Sequence, residues 1–250
     1  ATDSEKTSTP TCHFGVVFAL SAEAGGLIDL MQGIVKTHGA GFTIYEGGID
    51  GRRVLIVLSG AGCENAARAT AALIAGHRPQ IVFSAGFAGG LRDEIGRGDI
   101  VMADSVVDPS GERIDLEPSA ALESFPGRTH VGRMITVERI IGSPKEKRAL
   151  GASSGAATVD LESFAVAEVC RREGIRCMAV RAVSDAVDDT LPPEVENLLH
   201  QRSTTSRLGA AAGAIFRRPM SIMDMWRLNE QALISSDQLA KFLIWLFSRI

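Results

Sequence analysis

The sequence predicts an α/β fold, a three-layer α/β/α sandwich around a central mixed sheet. Apolar runs of strand length alternate with helical stretches along most of the chain. Most of those runs are apolar at successive positions, so both faces of their strands are expected to be covered. The 26 glycines stand against an aromatic share of only 5%. Such a chain packs aliphatic side chains and reserves glycine for tight segments. A length of 250 residues suits a single domain. It is expected over 13–250, behind a polar, disordered tail at 1–12.

The first strand is expected over His13–Leu20 (HFGVVFAL), followed by a helix over Glu23–Met31. Phe42–Gly48 and Val54–Leu58 read as strands joined by Asp50-Gly51, a dipeptide that favours a tight hairpin. Gly60-Ala61-Gly62 opens an alanine-rich helix over Glu64–Ala75. Strands follow at Ile81–Ala85 and Asp99–Val107, separated by a glycine-rich loop from Gly86 to Gly98. Residues 108–130 carry Pro109, Gly111, Pro118, Pro126 and Gly127 and read as a surface loop with little regular structure. Pro144 suits a first helical turn, which places a short helix over Pro144–Leu150. A strand at Ala156–Leu161 enters a helix over Glu162–Arg172, and Cys177–Val183 is the last strand. Two helices close the chain, Pro193–Phe216 and Ser221–Phe247, parted at Arg217-Arg218-Pro219. The terminal KFLIWLFSRI is apolar enough to touch a membrane or a neighbouring subunit, and packing on the core is the preferred reading.

With 26 basic and 30 acidic residues the net charge is −4, which gives no support for nucleic-acid binding. Cys12, Cys63, Cys170 and Cys177 are dispersed and read as reduced thiols. The histidines are scattered without HExxH, so no metal site is expected. The polar start lacks a signal-like apolar core and no long apolar span occurs, so a cytoplasmic setting is expected.

Gly60-Ala61-Gly62 after a strand suggests a dinucleotide site. The sixth position is Asn65, however, and no acidic residue follows at the required distance, so no cofactor is expected. Gly151-Ala152-Ser153-Ser154-Gly155 matches GxSxG but lies between a helix and a strand, the reverse of a nucleophile elbow. No GxxxxGK[ST] loop occurs. The stronger constellation is three carboxylates just after strands: Glu23, Glu162 and Asp185. Each alone is an ordinary helix-start residue. Three at strand ends, where open α/β sheets bind ligands, point to a shared site.

Ser84-Ala85-Gly86-Phe87-Ala88-Gly89-Gly90-Leu91 followed by Gly98-Asp99-Ile100-Val101 resembles the glycine-rich segment of the purine nucleoside phosphorylase and nucleosidase superfamily. Val159-Asp160-Leu161-Glu162-Ser163 is similar to its ribose-binding segment, with Leu161 where methionine is usual. Val180-Arg181-Ala182-Val183-Ser184-Asp185 is similar to its purine-contacting motif. Ala19-Leu20-Ser21-Ala22-Glu23 resembles the start of the methylthioadenosine/adenosylhomocysteine nucleosidases. The resemblance spans about residues 13–190.

It implies a nucleoside phosphorylase-like fold, a homo-oligomer and a small purine nucleoside as partner. Asp185 would protonate or hydrogen-bond purine N7, beside Ser184. Glu162 would accept from the ribose hydroxyls next to Leu161. Glu23 would activate water. Ala85, Gly86 and Phe87 would line the nucleoside, and Ile140 and Ile141 would pack on the purine. A carboxylate at Glu23 repels phosphate and Phe87 offers it no side-chain donor, so hydrolysis is favoured over phosphorolysis. The alternative is phosphorolysis, with Arg92 or Arg133 folding back to hold phosphate. The loop from Asp108 to His130 carries one aromatic, Phe125. The substrate is therefore read as an adenosine with some 5′-substituent, with a lipid-linked adenosine as in hopanoid-associated members as competitor.

Overall fold

The computed structural model describes residues 12–191 and 221–250. The expected tail, apart from Cys12, and the expected helix over Pro193–Phe216 lie outside the described residues. The elements are β1 (Cys12–Phe18), α1 (Ser21–Asp29), β2 (Gln32–Gly39), β3 (Phe42–Ile49), β4 (Arg52–Leu58), α2 (Cys63–His77), β5 (Pro79–Gly90) and β6 (Ile100–Val107). After them come β7 (Arg113–Asp115), β8 (Thr129–Thr136), α3 (Pro144–Ser154), β9 (Thr158–Asp160), α4 (Ser163–Glu173), β10 (Arg176–Asp185) and α5 (Ser221–Phe247).

All the strands join one mixed sheet in the order β10-β6-β8-β9-β5-β1-β4-β3-β2, with β7 on β6. A further pairing of β10 with β5 closes five of them, β5, β10, β6, β8 and β9, into a ring. The parallel pairs are β1 with β4 and β5, β10 with β5, and β8 with β6 and β9. The other ladders are antiparallel.

Alternation along the strands builds the two faces. Val17 and Val82 join a core with Ala66, Ala69 and Leu73 of α2 and Val166 and Val169 of α4. Phe14, Val16, Phe18, Ile81 and Phe83 join the opposite core with Ala24 and Leu27 of α1 and with α5. These are the two helical layers of the expected sandwich. Leu239, Phe242, Leu243, Leu246 and Phe247 of α5 are all buried, and Phe247 stacks on Phe14 at 4.4 Å. The apolar C-terminal segment is thus a core helix. No helix among the described residues is long and apolar enough to cross a membrane.

Several expectations need correction. β2 went unrecognised because all eight of its residues are exposed and it lacks a buried stripe. β8 also escaped, since THVGRMIT shows no clean alternation before its apolar end. The stretch 108–130 is not featureless: it holds β7, a 3₁₀ turn over Ala120–Ser124 and the start of β8. The Asp50-Gly51 hairpin forms as expected, with φ of 48° and 74°. Ser153 and Ser154 occupy the last turn of α3, where each hydroxyl donates to Leu150 O, so GxSxG is not an elbow here.

Candidate active site

Gly86–Gly90, expected as a loop, forms the second half of β5. Glycine is a poor strand former, and the segment is held by neighbours on both sides. Gly86, Phe87, Ala88 and Gly89 pair with Arg181, Ala182, Val183 and Asp185 of β10, and Gly89 pairs also with Val159 of β9. The glycines make room for carboxylates. A Cβ on Gly86 would lie 2.7 Å from Glu23 Oε1, and one on Gly89 would lie 3.1 Å from Asp185 Oδ2. The two positions are three steps apart along the strand, roughly 10 Å at about 3.3 Å per residue.

Glu23 sits buried in the first turn of α1. Oε1 accepts the Phe87 N–H at 2.9 Å and Oε2 accepts the Leu20 N–H at 2.8 Å. Burial pushes its carboxyl above the ordinary range, against the opposing pull of these hydrogen bonds and the Arg181 charge. Ser236 of α5 steadies this helix, its hydroxyl donating to Glu23 O at 3.1 Å and accepting Gly26 N–H at 2.9 Å. Gly86→Ala must displace the Glu23 carboxylate. Its expected effect is a loss of kcat/KM of about 10–10²-fold with little change in melting temperature, measured by steady-state kinetics beside a thermal melt.

Glu162 occupies the N-cap position of α4 and is buried, with Oε1 accepting the Gly62 N–H at 2.8 Å. Burial first, then the charges of Asp160 and Glu23, push its carboxyl up to about 8. In the free protein it therefore holds a proton at neutral pH. Beneath the carboxylates lies a buried ion pair, Arg181 Nη2 to Asp160 Oδ2 at 2.8 Å. Arg181 also donates to Ser84 O at 2.8 Å and to Ser84 Oγ at 3.0 Å. Asp160 Oδ1 accepts from Thr136 Oγ1 at 2.7 Å and from the N–H groups of Glu162 and Ser163. It thereby fixes the turn that presents Glu162.

Asp185 ends β10 just past a register shift at Ser184. Such a bulge re-aims the side chain that follows it. Its Oδ1 accepts from Ser184 Oγ at 2.6 Å, and its Oδ2 is ion-paired with the fully buried Lys147 of α3. β5 thus brings Glu23 and Asp185 to one strand, while Glu162 lies close enough to Glu23 for their charges to interact.

The other expected site residues divide. Gly86, the Phe87 backbone and Ser184 touch the carboxylates. Ala85 points into the core shared with α1 and α5, and the Phe87 ring packs partly against that core. Ile141 and Leu161 pack partly on a third cluster around Leu91, Ile135 and Val159, and Ile140 is half-buried in the segment before α3. Phe125 meets Phe242 and Trp245 edge-on at 5.0 and 5.2 Å, which commits it to α5. Asp160, Arg181 and Lys147 were not singled out from the sequence, and Gly62 only within the dinucleotide-like Gly60-Ala61-Gly62. The first two stood inside the recognised motifs, whereas Lys147 in PKEKR looks like a solvated helix face.

The sequence profile of the phosphorylase superfamily matches residues 13–119 and 113–217. The chain belongs to this superfamily. It is 27% identical over 216 residues to a 5′-methylthioadenosine/S-adenosylhomocysteine nucleosidase of Exiguobacterium, covering 77% of this chain and 93% of that protein. A Helicobacter pylori MTAN mutant with 5′-methylthioadenosine in its active site superposes with a TM-score of 0.74 at 18% identity, covering 96% of this chain and 99% of the other. Futalosine hydrolase of the same species gives 0.73 at 18% identity, with 96% and 99% covered. These two likenesses concern the fold.

In this superfamily member neither arginine held in reserve for phosphate folds back. Arg92 donates to Gly155 O at 2.7 Å and Arg133 to Ser154 O at 2.7 Å, both at the C-terminal end of α3. The buried Arg181 is engaged by Ser84 and Asp160.

Proposed function

We propose that this chain is a purine nucleosidase that hydrolyses the N-glycosidic bond of an adenosine-type, 5′-substituted nucleoside and releases the free base. The carrying observation is the placement of Glu23 and Asp185 against Gly86 and Gly89 of one strand, with Glu162 near enough to Glu23 for their charges to interact. The curated relative is named for the same class of reaction. Departure of the base leaves positive charge on the ribose and negative charge on the purine. Asp185, ion-paired with Lys147 in the free protein, takes up a proton from solvent as the nucleoside binds and gives it to purine N7 as the C–N bond breaks and its electrons pass to the base. Glu23 takes a proton from water, whose oxygen bonds the anomeric carbon. One proton leaves Asp185 and one arrives at Glu23, so their exchange through solvent resets the site. Glu162 gives its proton to solvent as the nucleoside binds and, ionised, accepts from the ribose hydroxyls. Leu161 and the half-buried Ile140 and Ile141 complete the apolar lining.

Water is favoured as nucleophile because a carboxylate occupies the nucleophile end and Arg92 and Arg133 are engaged elsewhere. The assembly is read as a cytoplasmic homo-oligomer. Exposed Leu30, Ile34 and Val35, at and beside β2, offer apolar surface to a second copy.

The deciding experiment is incubation with 5′-methylthioadenosine, adenosylhomocysteine and adenosine in phosphate-free buffer, following adenine by chromatography. Adenine is expected without phosphate. Release that requires phosphate and yields a sugar 1-phosphate would move the protein to phosphorolysis, and no release from any of the three would overturn the adenosine reading.

A further inference from the structure

Lys147 is a lysine with no exposed surface and the one buried residue of α3, whose other residues are half-buried or exposed. An ammonium is not taken out of water without acceptors for its hydrogens. Here there are three. Nζ donates to Ala186 O at 2.9 Å and to Asp189 O at 2.9 Å, and it ion-pairs with Asp185 Oδ2. The two carbonyls belong to the turn directly after β10, so the lysine holds both the carboxyl and the backbone that carries it. The other oxygen, Oδ1, is held by Ser184. Asp189 in turn accepts from Arg97, and its carboxylate fixes the Ala186 N–H at 2.6 Å, which keeps the turn closed around Nζ.

The chain reaches this geometry simply. Ser143 caps α3, with its hydroxyl accepting the Glu146 N–H at 3.3 Å, and Pro144 takes the first turn. The helix starts beside the end of β10 and delivers Lys147 one turn later. A staple needs only neutral donors for Ala186 O and Asp189 O. The third partner is the carboxyl that the proposed reaction converts from acid to carboxylate.

We infer that Lys147 is a positioning residue for the purine-side acid. Its ammonium fixes Asp185 Oδ2 and neutralises the carboxylate that remains when the proton has passed to N7. The inference rests on the nucleosidase reading. As the proton passes to N7 the ammonium faces a developing carboxylate, the pairing it already makes with Asp185 Oδ2 in the free protein, so it acts on the chemical step. Its loss therefore falls on kcat more than on KM.

The test compares the unsubstituted protein with Lys147→Gln, which keeps N–H donors for the carbonyls and removes the charge, and Lys147→Arg, which keeps the charge. With 5′-methylthioadenosine or whichever adenosine derivative is cleaved best, Lys147→Gln is expected to lower kcat about 10²-fold with KM within threefold. Lys147→Arg is expected to return kcat to within tenfold of the unsubstituted protein. A kcat for Lys147→Gln within threefold of the unsubstituted protein overturns the inference, as does an equal loss in both variants, the result of a purely structural staple. Should Lys147→Gln not fold, Lys147→Arg decides alone: kcat within tenfold supports the inference and a 10²-fold loss overturns it. Absence of base release by the unsubstituted protein is a separate result, which removes the nucleosidase reading itself.

Discussion

Replacing Glu23 by glutamine is expected to lower kcat about 10³-fold while adenine affinity stays within a few-fold. The amide matches the carboxylate in shape, and its oxygen still accepts the Phe87 N–H that now binds Oε1 at 2.9 Å. The Leu20 N–H, at 2.8 Å from Oε2, loses its acceptor, and α1 keeps its other tie through Ser236. What disappears is the base. A carboxyl whose proton affinity is raised by burial is suited to take a proton from water near neutral pH, and positioned general bases are worth about 10²–10⁴-fold. Adenine, proposed to bind at the Asp185 end of the strand, would lie roughly 10 Å away and should not register the change. Steady-state kinetics with calorimetric titration of adenine would check both halves. A kcat within tenfold of the unsubstituted protein would remove Glu23 from the proposed mechanism.

Glu162→Gln should stabilise the protein at alkaline pH and weaken nucleoside binding. The carboxyl is raised from 4.5 to about 8 in the folded chain, so folding favours its protonated form. The contribution is complete below about pH 4.5 and is lost as pH rises to about 8. At roughly 1.4 kcal/mol per unit, the loss across this window is about 4–5 kcal/mol. Glu23 shifts in the same direction, so the two proteins are compared pairwise at each pH to isolate Glu162. Urea unfolding at pH 5 and pH 8.5 should give similar stabilities at the lower pH and a more stable variant at the higher, by about 4 kcal/mol. Equal stabilities at both would contradict the assignment. In the proposed nucleoside complex, where Glu162 is ionised, the same variant puts an amide in place of an acceptor-only carboxylate, and KM is expected to rise about 10²-fold through weaker bonds to the ribose hydroxyls.

These two predictions start from residues that a reader of the sequence finds unaided, because strand ends and motif spacing mark Glu23 and Glu162. Their surroundings were less legible. The glycines from Gly86 to Gly90 suggest a loop, because local propensity is what a sequence displays. Their strand conformation comes from β10 and β9, which pair with them from distant parts of the chain. β2 is another such case: exposed throughout, it carries no periodic signal, and its partner β3 defines it. Phe125, the aromatic that bore on the 5′-substituent, packs on Phe242 and Trp245, more than a hundred residues away.

The sequence by itself determined the layered α/β class, the motifs that place this chain in its superfamily, and the three carboxylates. Hydrophobic pattern and motif spacing are local properties, and they suffice for that. Only the tertiary structure decided which cations accompany those carboxylates. Arg181 is anchored by Ser84 and Asp160 beneath Glu162, and Lys147 is carried by α3 to Asp185. Burial of an ionised group is tolerable only with partners, and those partners come from elements far apart in the chain. Their choice is invisible until the strands close into a ring.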